Sequence, residues 1–242
     1  MSDNQIQSKL AEIEQVLNKR WPENKIEPTL DRISALVDAL GSPQLSYPTI
    51  HLAGTNGKTT TARMIDQLLA NLGYRVGRYT SPHLESFTER ISIKGEPISD
   101  AQMIATYKDI ELYLDLIDSR QPHPISYFEA LTAMAFVAFA EFPVDIAVIE
   151  AGLGGEWDAT NVLTSQVSVM TPIGFDHMEY LGDTLEKIAQ TKSGIFKPES
   201  NVVLAAQTPA VAKVLMEKVA KVSAIPFREG IEFAVNKRAL AV

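Results

Sequence analysis

Apolar residues recur along the chain with two different periods. Near the start, Ile6, Leu10, Ile13 and Leu17 follow at steps of four, three and four, the single stripe of an amphipathic helix. A break at Trp21-Pro22 comes next. Leu30, Ile33, Leu36, Val37 and Leu40 then predict a second helix, stopped by Gly41. After a loop bracketed by Pro43 and Pro48, short apolar runs alternate with helical stretches. The runs at 47–53, 74–80, 144–151, 167–172 and 202–206 predict strands. Between them, Met64, Ile65, Leu68, Leu69 and Leu72 form a helical stripe closed by Gly73. Met103, Tyr107, Ile110, Leu114 and Ile117 form another behind a Ser99-x-x-Gln102 capping box. A third helix starts at Ser126-x-x-Glu129 and runs to about Phe142. It is apolar nearly all round, which predicts burial against a sheet rather than in a membrane. Thr208-Pro209 opens a further helix with proline at the favoured first position.

Strands alternating with helices predict an α/β fold with a doubly wound, mostly parallel sheet. In such sheets ligands sit at the carboxyl ends of the strands. There is no internal repeat and no linker before residue 220. The closing stretch IPFREGIEFAVNKRALAV reads as strand, turn and strand without a cap or polar tail. It leaves open a fold whose final strand ends the chain or a chain cut short.

Composition narrows the class. The 242 residues suit one large α/β domain, or one and a half ordinary ones, and 45% are hydrophobic. No run of about 18 apolar residues occurs, so no transmembrane span is expected. The polar opening MSDNQIQSKLAEIEQ does not read as a secretory signal. Cysteine is absent, so disulfides, thiolate metal sites and thiol nucleophiles are excluded, in keeping with a reducing cytoplasm. A net charge of −8 without a basic stripe argues against nucleic-acid binding. Any positive potential for an anion must then be local: a helix N-terminus, a lysine or a bound cation.

One such place is evident. The run ending at Ala53 leads into Gly54-Thr55-Asn56-Gly57-Lys58-Thr59-Thr60 and then a helical pattern. Glycines let backbone N–H groups converge on phosphate oxygens, and the helix N-terminus adds its positive end. Lys58 is placed to neutralise β/γ-phosphate charge, and Thr59 or Thr60 offers a hydroxyl to Mg²⁺. The match to G-x-x-x-x-G-K-[ST] is imperfect, because Leu52 stands where the first glycine belongs. Glu150 ends an apolar run, on the rim where the phosphate loop lies, and can hold Mg²⁺; a solvent-facing carboxylate is the alternative. Ser81 follows the run ending at Thr80, and Asp176-His177 follows the run at 167–172. The Asp-His pair could be a metal ligand, a base or a surface pair, and spacing alone favours the last. Lys192, near the end of a helix from about Asp183, reads as a solvated terminal lysine. Three strand ends thus bring donor side chains to one rim.

Together, HLAGTNGKTTTARM, YTSPHLESFTERISI, ISYFEALTAMAF, VIEAGLGGEWDATNV, TPIGFDHMEYLGDTLEKIAQTKSGIFKP and VVLAAQTPAV resemble the folylpolyglutamate synthase/dihydrofolate synthase family of the Mur ligase superfamily. The resemblance spans roughly residues 29 to 207. It implies an ATP-dependent ligase that adds L-glutamate to dihydropteroate or to tetrahydrofolate and its (poly)glutamyl forms, a cytoplasmic monomer. It implies that Gly54 to Thr60 bind ATP, with Lys58 on the β/γ-phosphates. One Mg²⁺ would be held by Thr59, Ser81 and Glu150, and a second by His177 with Lys192 carbamylated to N6-carboxylysine. Lys58, Lys192 and His177 would be the catalytic set. Thr29 and Arg32, Ser126, Tyr127, Phe128 and Glu129, and Trp157, Asp158 and Ala159 match places where the pterin substrate is held.

Two positions depart from the family pattern. The loop reads KTTT where KGST is commoner, and Glu156 stands where arginine usually follows GLGG. Family members are also much longer. The resemblance therefore implies that residues 1–242 are an incomplete N-terminal ATP-binding domain without the C-terminal Rossmann-like domain, inactive alone. A Mur-type peptidoglycan ligase shares the chemistry, but TSPHL, SYFEA and DATNV speak against it. A non-catalytic nucleotide- or folate-binding module is the reading from another class.

Overall fold

The computed structural model describes residues 2–22 and 27–234. A Ser2 capping box opens α1 (Asp3–Asn18), whose stripe buries Ile13 and Leu17, and α2 (Asp31–Ala39) turns Ile33, Leu36 and Val37 inward. Then come β1 (Thr49–Ala53), α3 (Lys58–Asn71), β2 (Val76–Tyr79), β3 (Ile91–Ile93) and β4 (Glu96–Pro97). They are followed by α4 (Asp100–Asp118), α5 (Tyr127–Glu141), β5 (Ile146–Glu150), β6 (Val167–Met170) and α6 (Met178–Leu181). The described chain closes with α7 (Leu185–Lys192), β7 (Asn201–Leu204), α8 (Pro209–Lys221) and β8 (Ile225–Arg228). The capping boxes at Ser99 and Ser126 open α4 and α5 as expected.

All eight strands form one sheet in the order β4-β3-β2-β5-β1-β6-β7-β8. From β2 to β8 every neighbouring pair is parallel. The exception is the edge, where β3 runs antiparallel to β2 and β4 antiparallel to β3. This ribbon was not expected from the sequence. Its strands are too short to show alternation, and only the turn at Lys94-Gly95, both with positive φ, marks the hairpin.

Chain direction reverses at β1. The crossover through α3 carries the chain to β2 on one side, and β5, β6, β7 and β8 then advance the other way. Right-handed crossovers therefore put α3 on one face and α5, α7 and α8 on the other. Register makes the faces explicit. Tyr79, Ile149, His51, Ser168 and Val202 lie side by side under the larger helical layer. On the opposite face Leu52, Val76 and Val148 form a small buried cluster with Ala62 of α3. There Asp66 of α3 makes a buried ion pair with Arg78 of β2 at 3.1 Å.

The observed strands are one to three residues shorter at their ends than the apolar runs, because those runs continue into the turns. Helix α3 starts at Lys58, well before its first apolar stripe residue Met64, because its opening turns are polar. No helix among the described residues is long and apolar enough to cross a membrane. Of the expected terminal strand-turn-strand, β8 and a turn bridged from Glu229 to Phe233 are present. Residues 235–242 of the second run lie outside the described part.

Candidate functional site

The reversal at β1 opens a crevice at the carboxyl ends of the strands, and the glycine loop sits in it. Gly54 has no alternative there: with φ +146°, a Cβ would lie 1.9 Å from the Thr171 hydroxyl leaving β6. Pro172, just beyond, accepts hydrogen bonds from the Thr55 and Asn56 N–H groups at 3.1 and 3.2 Å. The loop is thereby tied to the neighbouring strand end. The donors aimed at a phosphate are then those of the first turn of α3, which have no intrahelical carbonyl to bond.

Lys58 Nζ donates to the Gly54 carbonyl at 3.2 Å, and Lys192 Nζ donates to the same oxygen at 2.9 Å. Lys192 is therefore not the solvated helix-end lysine that spacing predicted. It is buried, because the backbone of residues 192–194 packs against that of residues 155–156; a Cβ on Gly155 would lie 2.5 Å from the Lys192 carbonyl oxygen. Burial, aided by the positive charge of Lys58, lowers its pKa to about 8. A lysine in this state has a small neutral fraction at neutral pH.

Glu150, at the tip of β5, is buried rather than solvent-facing. Both its oxygens accept from the Thr59 hydroxyl, at 2.9 and 3.0 Å, and the Ser81 N–H also donates to the carboxylate. Burial pushes its pKa up, opposed by Thr59 and Lys58. Thr59 and Ser81 hydroxyls with the Glu150 carboxylate make a set of hard oxygen donors, the chemistry Mg²⁺ prefers. Among the described residues, no three His, Cys, Asp or Glu side chains gather around one point. Hydroxyl groups and phosphate oxygens would have to complete any magnesium sphere here. His177, with φ 44°, is half-exposed, and its Nε2 lies 3.3 Å from an Asp176 carboxylate oxygen.

Lys58, Ser81 and His177 line one cleft of about 700 Å³. The same cleft extends to Thr29, Arg32, Ser126, Phe128, Glu129, Trp157, Asp158 and Ala159. Eight of the nine residues matched to the pterin pocket are thus gathered. Tyr127 is not among the lining residues; it is buried, with the Arg90 guanidinium 5.3 Å from its ring centre. Arg32 donates through Nε to both Glu129 oxygens, at 3.2 and 3.1 Å, and its Nη1 pairs with Glu27. Burial works against the guanidinium charge, but Glu129 and Glu27 outweigh it and raise the pKa. Glu129 also accepts from the Ser126 N–H at 2.7 Å, so the capping box of α5 doubles as cleft wall.

Several cleft residues escaped the sequence reading. Glu27 lies in a loop that no motif marks; Pro82, Leu153, Glu179 and Tyr180 fall within the family-like segments, but in loops and the four-residue helix α6, where no periodicity singles them out. Asp158 is held by donors on every side. Thr160 donates from N at 2.9 Å and from its hydroxyl at 2.5 Å, Leu153 N–H donates at 2.8 Å, and Gly152 N–H also bonds it. Burial raises its pKa and these donors oppose the rise.

Comparison with known proteins agrees with this geometry. The chain is 51% identical to the dihydrofolate synthase/folylpolyglutamate synthase of Mycobacterium tuberculosis over 96% of its own length and 50% of that protein's. A solved structure of M. tuberculosis folylpolyglutamate synthase complexed with ADP superposes with TM-score 0.91, covering 98% of this chain and 53% of that one. A folylpolyglutamate synthase complex with AMPPCP and folate, 37% identical, gives TM-score 0.89 over 96% of this chain and 57% of the other. The chain thus spans about half the length of the relatives it matches. The family model of the Mur ligase middle domain matches residues 52–238, from inside β1 past β8, and takes in the phosphate loop, Glu150, His177 and Lys192. On the strength of that match and the fold beneath it, this chain belongs to the Mur ligase middle-domain family.

Proposed function

We propose that this chain forms the ATP-binding part of a cytoplasmic, monomeric ligase that adds L-glutamate to dihydropteroate or to a (poly)glutamyl folate. The observation that carries the reading is the continuity of the cleft. Its phosphate-loop end, with Lys58, runs without a break into a wall of Phe128 and Trp157 beside the Arg32–Glu129 pair. A flat heteroaromatic ring with polar edges suits the second end, and a triphosphate suits the first.

A carboxylate is a poor electrophile, so this class of reaction first makes it an acyl phosphate. The substrate oxygen attacks the γ-phosphoryl group in line and ADP leaves. The neutral amine of glutamate then attacks the acyl carbon, phosphate departs and the amine's proton passes to water, leaving an amide. Catalysis is mostly positioning and charge compensation. In this reading the first-turn N–H groups of α3 and Lys58 bind and orient the phosphates. Thr59, Ser81 and Glu150 would hold one Mg²⁺, and His177 with Lys192 a second. The ions would supply positive charge to the transferring group, which an acidic protein otherwise lacks. The lowered pKa of Lys192 supports its reaction with CO₂, because only the neutral amine forms a carbamate.

Binding tests this reading on the chain itself. AMPPCP and pteroate are each expected to bind, the latter followed by quenching of Trp157 fluorescence. Lys58→Ala is expected to weaken AMPPCP binding at least tenfold, with an unchanged melting temperature. Unaltered AMPPCP affinity in that variant would refute the phosphate-loop role. Binding of a UDP-muramyl precursor in place of pteroate would reassign the chain to peptidoglycan chemistry.

A further inference from the structure

A buried polar chain runs from the middle of the sheet to the cleft wall. His51 of β1 and Thr160 are fully buried, and Asp158 is nearly so. His51 Nε2 lies 2.8 Å from the Thr160 hydroxyl oxygen. That hydroxyl has one proton, and it is donated to Asp158 Oδ1 at 2.5 Å. Its oxygen can then only accept from the imidazole, so Nε2 carries the proton and Nδ1 is a bare lone pair. The rest of the site agrees: Nδ1 is buried and meets no hydrogen-bond partner. A proton there would be an orphaned buried donor, the rarer and costlier state.

The chain therefore has one direction. His51 N–H donates to Thr160, and Thr160 O–H donates to Asp158. Asp158 in turn accepts from the N–H groups of Gly152 and Leu153. Gly152 and Leu153 line the cleft, and Trp157 and Ala159 flank Asp158 in sequence on the same wall. Both Asp158 oxygens are occupied by protein donors.

We infer that Thr160 and His51 are positioning residues for the substrate wall: they orient Asp158, and through it they fix the backbone of residues 152–153 and the Trp157 edge of the pocket. The inference deepens the folate-ligase reading, on which its substrate arm rests. It assigns a role to two residues that are not among those lining the cleft. It also explains a histidine in the central strand of a sheet, where an aliphatic residue would pack without any polar group to satisfy.

Thr160→Val removes the hydroxyl while keeping the branched shape, and Thr160→Ser restores it. In the 242-residue chain, Thr160→Val is expected to speed amide hydrogen exchange at Gly152 and Leu153 at least tenfold. The amides of β1 and β6 should stay as protected as before. Pteroate dissociation constants, read from Trp157 quenching, should rise at least tenfold, with AMPPCP affinity within twofold of the parent. Thr160→Ser should return both readouts to the parent values. In the parent, nitrogen-15 spectra of the His51 ring should show Nε2 protonated and Nδ1 bare.

Unchanged exchange at Gly152 and Leu153, or a general loss of protection across β1 and β6, would overturn the positioning role. So would a proton on Nδ1. If the parent chain binds no pteroate, the folate reading fails by itself. The exchange and nitrogen-15 measurements still decide the hydrogen-bond chain in that case.

Discussion

At the scale of single residues, burial decides the chemistry more than residue type does. His51 has a pKa lowered to about 3 by burial, with Lys197 nearby adding to the effect. It stays neutral in the folded chain while its unfolded counterpart titrates near 6.5. Between those values the unfolded state binds more protons, so stability falls as pH drops through that window, at up to about 1.4 kcal/mol per pH unit. Urea midpoints measured from pH 7 to pH 4 should show a slope that His51→Gln reduces. Equal slopes in parent and variant would contradict it. Lys192 works in the opposite range. Its folded pKa of about 8 lies below the ordinary 10.5, so the unfolded state binds more protons between those values and stability rises with pH across that interval. Lys192→Met is expected to remove that rise, measured by urea unfolding between pH 7.5 and 10.

Glu150 and Lys192 were visible in the sequence as residue types at a strand or helix end, and Asp158 only through the family resemblance. Their burial was not visible, because it comes from loops distant in sequence. Lys192 is covered by Gly155 and Glu156, more than thirty positions earlier, and it reaches Gly54 across 138 positions. No local pattern encodes such a contact.

At the scale of elements, the sequence was readable wherever a cap or a long stripe was present. Ser99-x-x-Gln102 and Ser126-x-x-Glu129 both form reciprocal capping boxes. Ser99→Ala at α4 is expected to cost about 1 kcal/mol in urea unfolding, the usual value of an N-cap. Ser126→Ala should cost a similar amount and also loosen Glu129, whose oxygens serve Arg32 as well as the cap. The buried pair Asp66–Arg78, joining α3 to β2, was not predicted. Its partners lie on elements with different periods, and each by itself reads as a surface charge. Asp66→Ala strands a buried guanidinium and is expected to cost about 3–5 kcal/mol. A loss below 1 kcal/mol would show that Arg78 finds solvent or another partner.

At the scale of the whole molecule, the two faces of the sheet are unequally covered. The face bearing Tyr79, Ile149 and Val202 lies under α5, α7 and α8, and the main core cluster there includes Phe136 and Phe139. Among the described residues α3 is the helix of the other face, and its Met64, Leu68 and Leu72 are exposed at four-residue steps. Apolar character along α3 thus has two meanings that periodicity alone does not separate. Leu52→Ala, beneath α3, should cost about 2–5 kcal/mol. Leu68→Ala, 65% exposed, should change stability by no more than about 0.5 kcal/mol in the same urea measurement.

The sequence by itself determined the alternation of strands and helices, the parallel character of the sheet, the phosphate loop and which strand ends carry polar donors. These follow from short-range physics: periodicity, capping and the conformational freedom of glycine act within a few residues. Tertiary structure decided what those donors do. It set the strand order that reverses at β1, brought Lys58 and Lys192 to one carbonyl, sealed Glu150 from solvent and linked His51 through Thr160 to the cleft wall. Desolvation and hydrogen-bond direction depend on neighbours that folding brings together from across the chain, and a linear pattern does not carry them.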